Sequence, residues 1–517
     1  MRRTSSTGSR TLRLAAAASA LALLLAACGD DSPDGAAGGQ TTPEGPSGSV
    51  TYSLAVEIPS MNPILGSKGL AIQKSVFDWL VDIDAKGEVV PRLATSWQSN
   101  ADGTSWTFTI RNDAKFHDGT PVTIDDVIFS YQAVLDTPES TIRGNLSSVD
   151  KMSKVSDTQV RFDLKLAFAA WPRQTSLLPI VPKATYDAVK FDTAPIGSGP
   201  YKVVSFSSGQ PARLEAFDGY WGPKPAFKDV TIVPSPQADA RLSGLQSTAA
   251  GSFDLSPLTT DQVPVVKGDR SLQLLSTPSN FVAYMSFNVN TPPLNDLKVR
   301  QAIDLAIDRE SITKNLYAGL ATPIGQMVAP VTFGYDGTIQ ATKFDLNRAK
   351  QLLAESSYSG QTITFEYPTD GELQASNDLA QAIQGQLQAI GIKVELAGQP
   401  SATFIPSVQR RGMKAMYMFS WRPSVMDAFQ ILNLSYRPSN WGYVNNPDME
   451  ALIVKSAAET DLNARKALIS QVLKLSSTNV YFAPLYNDQY HYGIRPDKIA
   501  YTPRADGLIF AHDIRKK

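Results

Sequence analysis

PRLATSWQSNADGTSWTFTIRNDAKFHDGTPVTIDDVIFSY, Pro91 to Tyr131, reads as a strand, a tight turn and a helix start in one sweep. Trp106, Phe108 and Ile110 alternate with Thr107 and Thr109, and a period of two predicts a half-buried strand. Asp118-Gly119-Thr120-Pro121 is turn chemistry, because glycine admits positive φ and proline fixes its own. Thr123 with Asp126 three positions later predicts a helix cap, a weaker form of the capping box. Val127, Ile128 and Tyr131 give that helix an apolar face. The stretch is scaffold and carries no ligand chemistry of its own.

Upstream, Arg2, Arg3, Arg10 and Arg13 precede an apolar run from Leu14 to Ala27, too short to span a membrane comfortably. This is the n-region and h-region of a signal peptide over residues 1–27. It ends in Leu25-Ala26-Ala27-Cys28-Gly29, which resembles a bacterial lipoprotein box with Cys28 as the lipidated thiol. Cys28 is the only cysteine, so a mature chain would carry no disulfide although it faces an oxidising space. Residues 28–48 are Gly, Pro, Ser, Thr and acid with almost nothing apolar, the composition of a flexible tether. Two or three acyl chains would satisfy the two-anchor requirement for stable membrane attachment.

Net charge is −1 for the whole chain, and near −5 without the leader's arginines. No basic patch with interleaved aromatics points to nucleic acid. The length predicts two or three domains.

Downstream, residues 50–56 predict an opening strand, 69–80 a helix, and 82–91 a hairpin around Lys86-Gly87. Residues 281–290 and 480–486 predict buried strands, the second a return crossing. Leu297 to Ala306 predicts a helix; the charges of Arg300 and Asp308 are either functional or, the preferred reading, lock helix ends by ion pairs. Leu379, Ile383, Leu387 and Ile390 form one helical stripe, stopped by Gly391 before the strand Lys393-Val394-Glu395-Leu396. That helix–glycine–strand unit fits an α/β layer.

Leu93-Ala94, Trp97 and Phe116-His117-Asp118-Gly119-Thr120-Pro121, in this order, resemble the signature of the family 5 extracellular solute-binding proteins, the peptide/nickel receptors of ABC importers. Gly197-Ser198-Gly199-Pro200-Tyr201, the aromatic turn Phe217 to Pro225, and Asn295 to Ile303 with Ala306 to Arg309 resemble further landmarks of that family. The resemblance covers nearly all of 48–515. It implies an α/β, periplasmic-binding-protein-like fold of two lobes joined by crossing strands, with a subdomain inserted in the first lobe. The lobes are expected at 49–280 (insertion about 69–190) and 281–484, with 485–517 returning to the first.

It also implies a monomeric receptor, without cofactor, that closes on a peptide or other small solute, docks permease subunits and sits on the cell membrane through its lipid. The resemblance places the end of the apolar strand Met416 to Phe419 in the cleft, which makes Ser420, Trp421 and Arg422 candidate ligand residues. Trp421 could stack, and Arg422, Arg410 or Arg411 could fork onto a carboxylate. Trp441 and Tyr443 flank the same region. In peptide-binding members an Asp three residues after this Trp takes the α-ammonium; here Ser424 stands there, and a hydroxyl cannot balance a desolvated ammonium. Asp427 or Glu57 could substitute. The departure also keeps open a receptor for a metal chelate or an oligosaccharide.

An enzyme is not supported by the residues. The three histidines, His117, His491 and His512, lie far apart, so no metal site is readable from His spacing. There is no nucleophile elbow and no Walker A. Ser148-Val149-Asp150-Lys151 is an S-x-x-K without its K-T-G companion. His117 lies inside a turn of the scaffold and reads as a hydrogen-bonded spacer.

Overall fold

The computed structural model describes residues 45–66, 69–438 and 440–517; Cys28 and the leader lie outside them. Two long antiparallel strands, Gln273–Phe287 and Phe482–Ile494, run side by side through the middle of one large mixed sheet. On one side follow Leu255–Leu258, Ser49–Leu54, Asp229–Pro234, Ala212–Ala216 and Tyr201–Ser205. On the other follow Met416–Trp421, Thr362–Pro368 and Lys393–Gln399. The molecule is therefore two α/β lobes joined by a crossing pair. Leu275, Tyr492 and Ile494 pack into the core of the first lobe. Phe281, Ala283, Met285 and Phe287 pack into that of the second, with Leu485 and Tyr486.

A separate antiparallel sheet is the insertion: Ala94–Ser99, Ser105–Ile110, Gln159–Leu164 and Val149–Ser156, in that order. Trp106, Phe108 and Ile110 are buried, as their alternation predicts. The helix Ile124–Leu135 begins at Thr123 with both halves of the capping box made, and Thr123 N–H donates to Asp126 at 2.9 Å.

The structure departs from the sequence reading in three places. The helix expected over 69–80 is only Leu70–Val76. The Val76 carbonyl accepts the Gly199 N–H at 2.9 Å, Phe77 turns extended, and the Trp79 and Leu80 carbonyls accept from Leu93 and Ala94. A Cβ at Gly197 would lie 2.0 Å from the Val76 oxygen, so the Gly-x-Gly serves close backbone approach. Second, the crossing strands run much further than their apolar runs, through Thr277, Asn487 and Asp488, because pairing between strands continues where apolar patterning stops. Third, Arg300 makes no ion pair among the described residues. It donates to the carbonyls of Leu294, Asn479 and Val480, while Asp308 caps the helix Arg309–Leu316. The buried ion pair there is Arg309 with Asp304.

Candidate functional site

The pairing of the crossing strands is irregular at two points, between Ala283 and Tyr284 and, more widely, between Pro278 and Val282. Pro278 is opposite Gln489 and Val282 opposite Asn487, so Ser279-Asn280-Phe281 bulges against Asp488 alone. Side chains stabilise the bulge: Ser279 Oγ donates to the Asp488 carbonyl at 2.8 Å, and Asn487 Nδ2 donates to the carbonyls of Ser279 and Phe281. Asn280 Nδ2 donates to the Pro423 carbonyl at 3.1 Å, and the Tyr490 hydroxyl donates to Asn280 Oδ1 at 3.1 Å. These bonds join the bulge to the segment that follows the strand Met416–Trp421.

That strand end holds most of the sequence candidates, and the structure sorts them. Ser420 is buried and its hydroxyl donates to the Glu372 carbonyl at 3.2 Å, so it fastens a loop. Trp421 is half-buried and stands edge-on to half-buried Trp441, ring centres 5.9 Å apart. The Trp421 indole N–H is buried and has no acceptor among the described residues. Arg422 and Ser424 are exposed, and the Arg422 guanidinium lies 4.7 Å from the Phe281 ring centre. Glu57 is exposed just past the strand Ser49–Leu54 and makes no ion pair among the described residues.

Four candidates are engaged elsewhere or stand away from the strand end. Asp427 is fully buried, caps the helix Ala428–Ser435, and takes Arg465 on both oxygens at 2.7 and 2.8 Å. Burial opposes its charge, but Arg465, and then Arg173, hold the carboxyl below the usual range. It cannot also receive a ligand's ammonium. Arg410 and Arg411 lie at the opposite end of the strand, where Arg411 donates to the Pro438 carbonyl. Tyr443 is buried and accepts the Met413 N–H at 2.7 Å.

His117 is the spacer its turn suggests. Its Nδ1 accepts the Gly197 N–H at 3.2 Å, which leaves Nε2–H to donate to the Gly199 carbonyl at 3.1 Å. Among the described residues no three His, Cys, Asp or Glu side chains gather as a metal ion requires.

Sequence reasoning passed over two charged residues in the neighbourhood of the strand end. One is Arg173, from the one-turn helix Trp171–Gln174 of the insertion. It reaches the second lobe, donating to the carbonyls of Val425 and Met426 and lying 3.6 Å from Asp427. The other is Asp488. Its signal was present: an acid set between tyrosines at period two, Tyr486-Asn487-Asp488-Gln489-Tyr490.

Two lobes on a bulged crossing pair, with an aromatic and basic strand end at the bulge, define the class: a two-lobed solute-binding protein. Residues 88–443 match the family described as bacterial extracellular solute-binding proteins, family 5, middle region, and the chain belongs to that family. It is 30% identical to the dipeptide-binding protein of Escherichia coli over 326 residues, 57% of this chain and 61% of that protein. It is 27% identical to heme-binding protein A of Haemophilus influenzae, with 96% of each chain covered. The crystal structure of the ABC transporter substrate-binding protein CtaP from Listeria monocytogenes superposes with a TM-score of 0.79 at 25% identity, covering 91% of this chain and 99% of that one. No helix among the described residues is long and apolar enough to cross a membrane.

Proposed function

We propose that this protein is the extracytoplasmic receptor of an ABC importer, anchored by lipid on Cys28, that captures short peptides between its lobes and passes them to a permease without altering them. The lobes divide at about 280 and 484, and residues 485–517 return to the first. The observation that carries the reading is the strand end at Trp421. The Trp421 indole N–H, buried and without an acceptor among the described residues, lies beside exposed Arg422, and a ligand acceptor that reaches it on closure would satisfy it. An extended peptide supplies carbonyl acceptors along its length and a carboxylate for Arg422. The relative named for dipeptides supports the ligand class. Closure then follows from a ligand that touches both lobes and so favours the closed state.

A second reading, a receptor for a non-peptide solute, is favoured by Ser424, which cannot balance an amine, and by the relative named for heme. Thermal shift of the purified protein with free di- to pentapeptides, together with identification of any co-purifying solute, separates the two. Saturating peptide should raise the melting temperature by mass action. A bound chelate or sugar, with no response to peptides, would establish the second reading.

A further inference from the structure

The crossing pair carries an acid, Asp488, that makes no ion pair among the described residues. Asp488 is half-buried opposite the bulge Ser279-Asn280-Phe281. Its carboxylate accepts only the adjacent Gln489 N–H, at 2.8 Å, and has no ion-pair partner among the described residues. By period-two alternation it shares a face with Tyr486 and Tyr490. Tyr486 lies against Tyr317 at 4.4 Å and Phe281 at 6.1 Å between ring centres. Burial pushes the carboxyl above its usual range, and Arg422 is near enough to pull it back in part without reaching it as an ion pair.

A carboxylate half-withdrawn from water, walled by rings and left unpaired costs stability. Local conflicts of that kind sit where a ligand resolves them. Three other acids are less suited than Asp488. Asp427 is saturated by Arg465, Asp506 pairs with Arg504, and Glu57 is exposed. Ser424 is neutral. Pro423, one residue before it, is tied through Asn280 to the strand that bears Asp488.

We propose that Asp488 receives the ammonium of the ligand's amino terminus, with Arg422 beside it taking an anionic or carbonyl oxygen of the same ligand. This rests on the peptide reading of the site and specifies its selectivity: free amino termini are bound and blocked ones are refused. The tyrosine and phenylalanine walls exclude water from the pair and strengthen it. The acid therefore comes from the crossing strand instead of from the position of Ser424.

The test uses the full chain in detergent, free di- to pentapeptides, and the same peptides N-acetylated. Asp488→Asn is compared with wild type by calorimetric titration and melting. The expected result is that free peptides bind Asp488→Asn about 10- to 100-fold more weakly, the range of a lost charged hydrogen bond. Acetylated peptides should bind both proteins alike and weakly. The unliganded variant should melt at the same temperature or higher, because an unpaired charge has gone. Equal binding of free peptides by both proteins overturns the role of Asp488 and leaves the peptide reading standing. A lower melting temperature with equal losses for free and acetylated peptides makes the acid structural and also overturns it. Failure of every free peptide to bind wild type refutes the peptide reading, and this proposal with it.

Discussion

Arg465 clasps Asp427 with both prongs, Nη1 to Oδ2 at 2.8 Å and Nη2 to Oδ1 at 2.7 Å, and neither side chain meets solvent. Arg173, from the other lobe, lies 3.6 Å from the same carboxylate. Such a group holds its helix in place and is unavailable to a ligand. Asp427→Ala should cost about 3–5 kcal/mol by urea denaturation, because it strands a buried guanidinium. Asp427→Leu combined with Arg465→Met should cost much less than the sum of the single changes. The lowered carboxyl adds stability that is complete above the ordinary Asp range and lost as pH falls below it.

His117 titrates far from its ordinary value. Burial holds it down to about 4, outweighing the Gly199 carbonyl and Asp118, while Lys202 lowers it further. The folded protein thus favours the neutral ring. Stability from this group is full above about 6.5, the unfolded value, and declines as pH falls toward 4. The wild-type minus His117→Gln difference in unfolding free energy should shrink across that window. A flat difference would exclude the neutral-ring assignment.

Trp421→Phe keeps the ring and removes the unpartnered N–H. Ligand affinity should fall about 3- to 10-fold, the worth of one neutral hydrogen bond, while the unliganded melting temperature stays level or rises. Fluorescence of the wild-type indole should respond to the same ligand.

Gly199→Ala should destabilise by about 1–3 kcal/mol. Its Cβ would come within 2.7 Å of the Val76 carbonyl carbon and 2.8 Å of the Phe77 nitrogen, and backbone on both sides leaves nothing flexible to yield. Equilibrium denaturation checks this, and ligand affinity in the folded fraction should be unchanged.

Cys28→Ala should move the protein from the membrane to the soluble fraction and abolish labelling by radioactive fatty acid. Retention on the membrane without label would mean that the apolar leader stays uncleaved and anchors the chain.

Elements whose signal lies within a few neighbouring residues were legible. The strand at Trp106 announced itself by alternation, the helix at Thr123 by its cap, and the turn at Gly119 by its Asp-Gly-Thr-Pro chemistry, which the structure bears out with a φ of 88°. The helix Ser376–Gln388 announced itself by its stripe and by Gly391 just beyond it, which the structure holds at φ 94°. Illegible were elements settled by remote partners. The helix at Leu70 ends early because Gly199, far along the chain, claims the Val76 carbonyl. Asp427 and Ser420 looked like ligand residues because a sequence does not show that Arg465 and the Glu372 carbonyl already engage them.

The sequence by itself determined the local elements, the leader and tether composition, and the likeness of its landmarks to one family, because each is written in residues close together along the chain. Tertiary structure alone decided which polar groups near the strand end are already satisfied and which are open. A polar side chain's availability depends on partners brought from distant positions, and only folding supplied Arg465 for Asp427 and left Asp488 without an ion pair among the described residues.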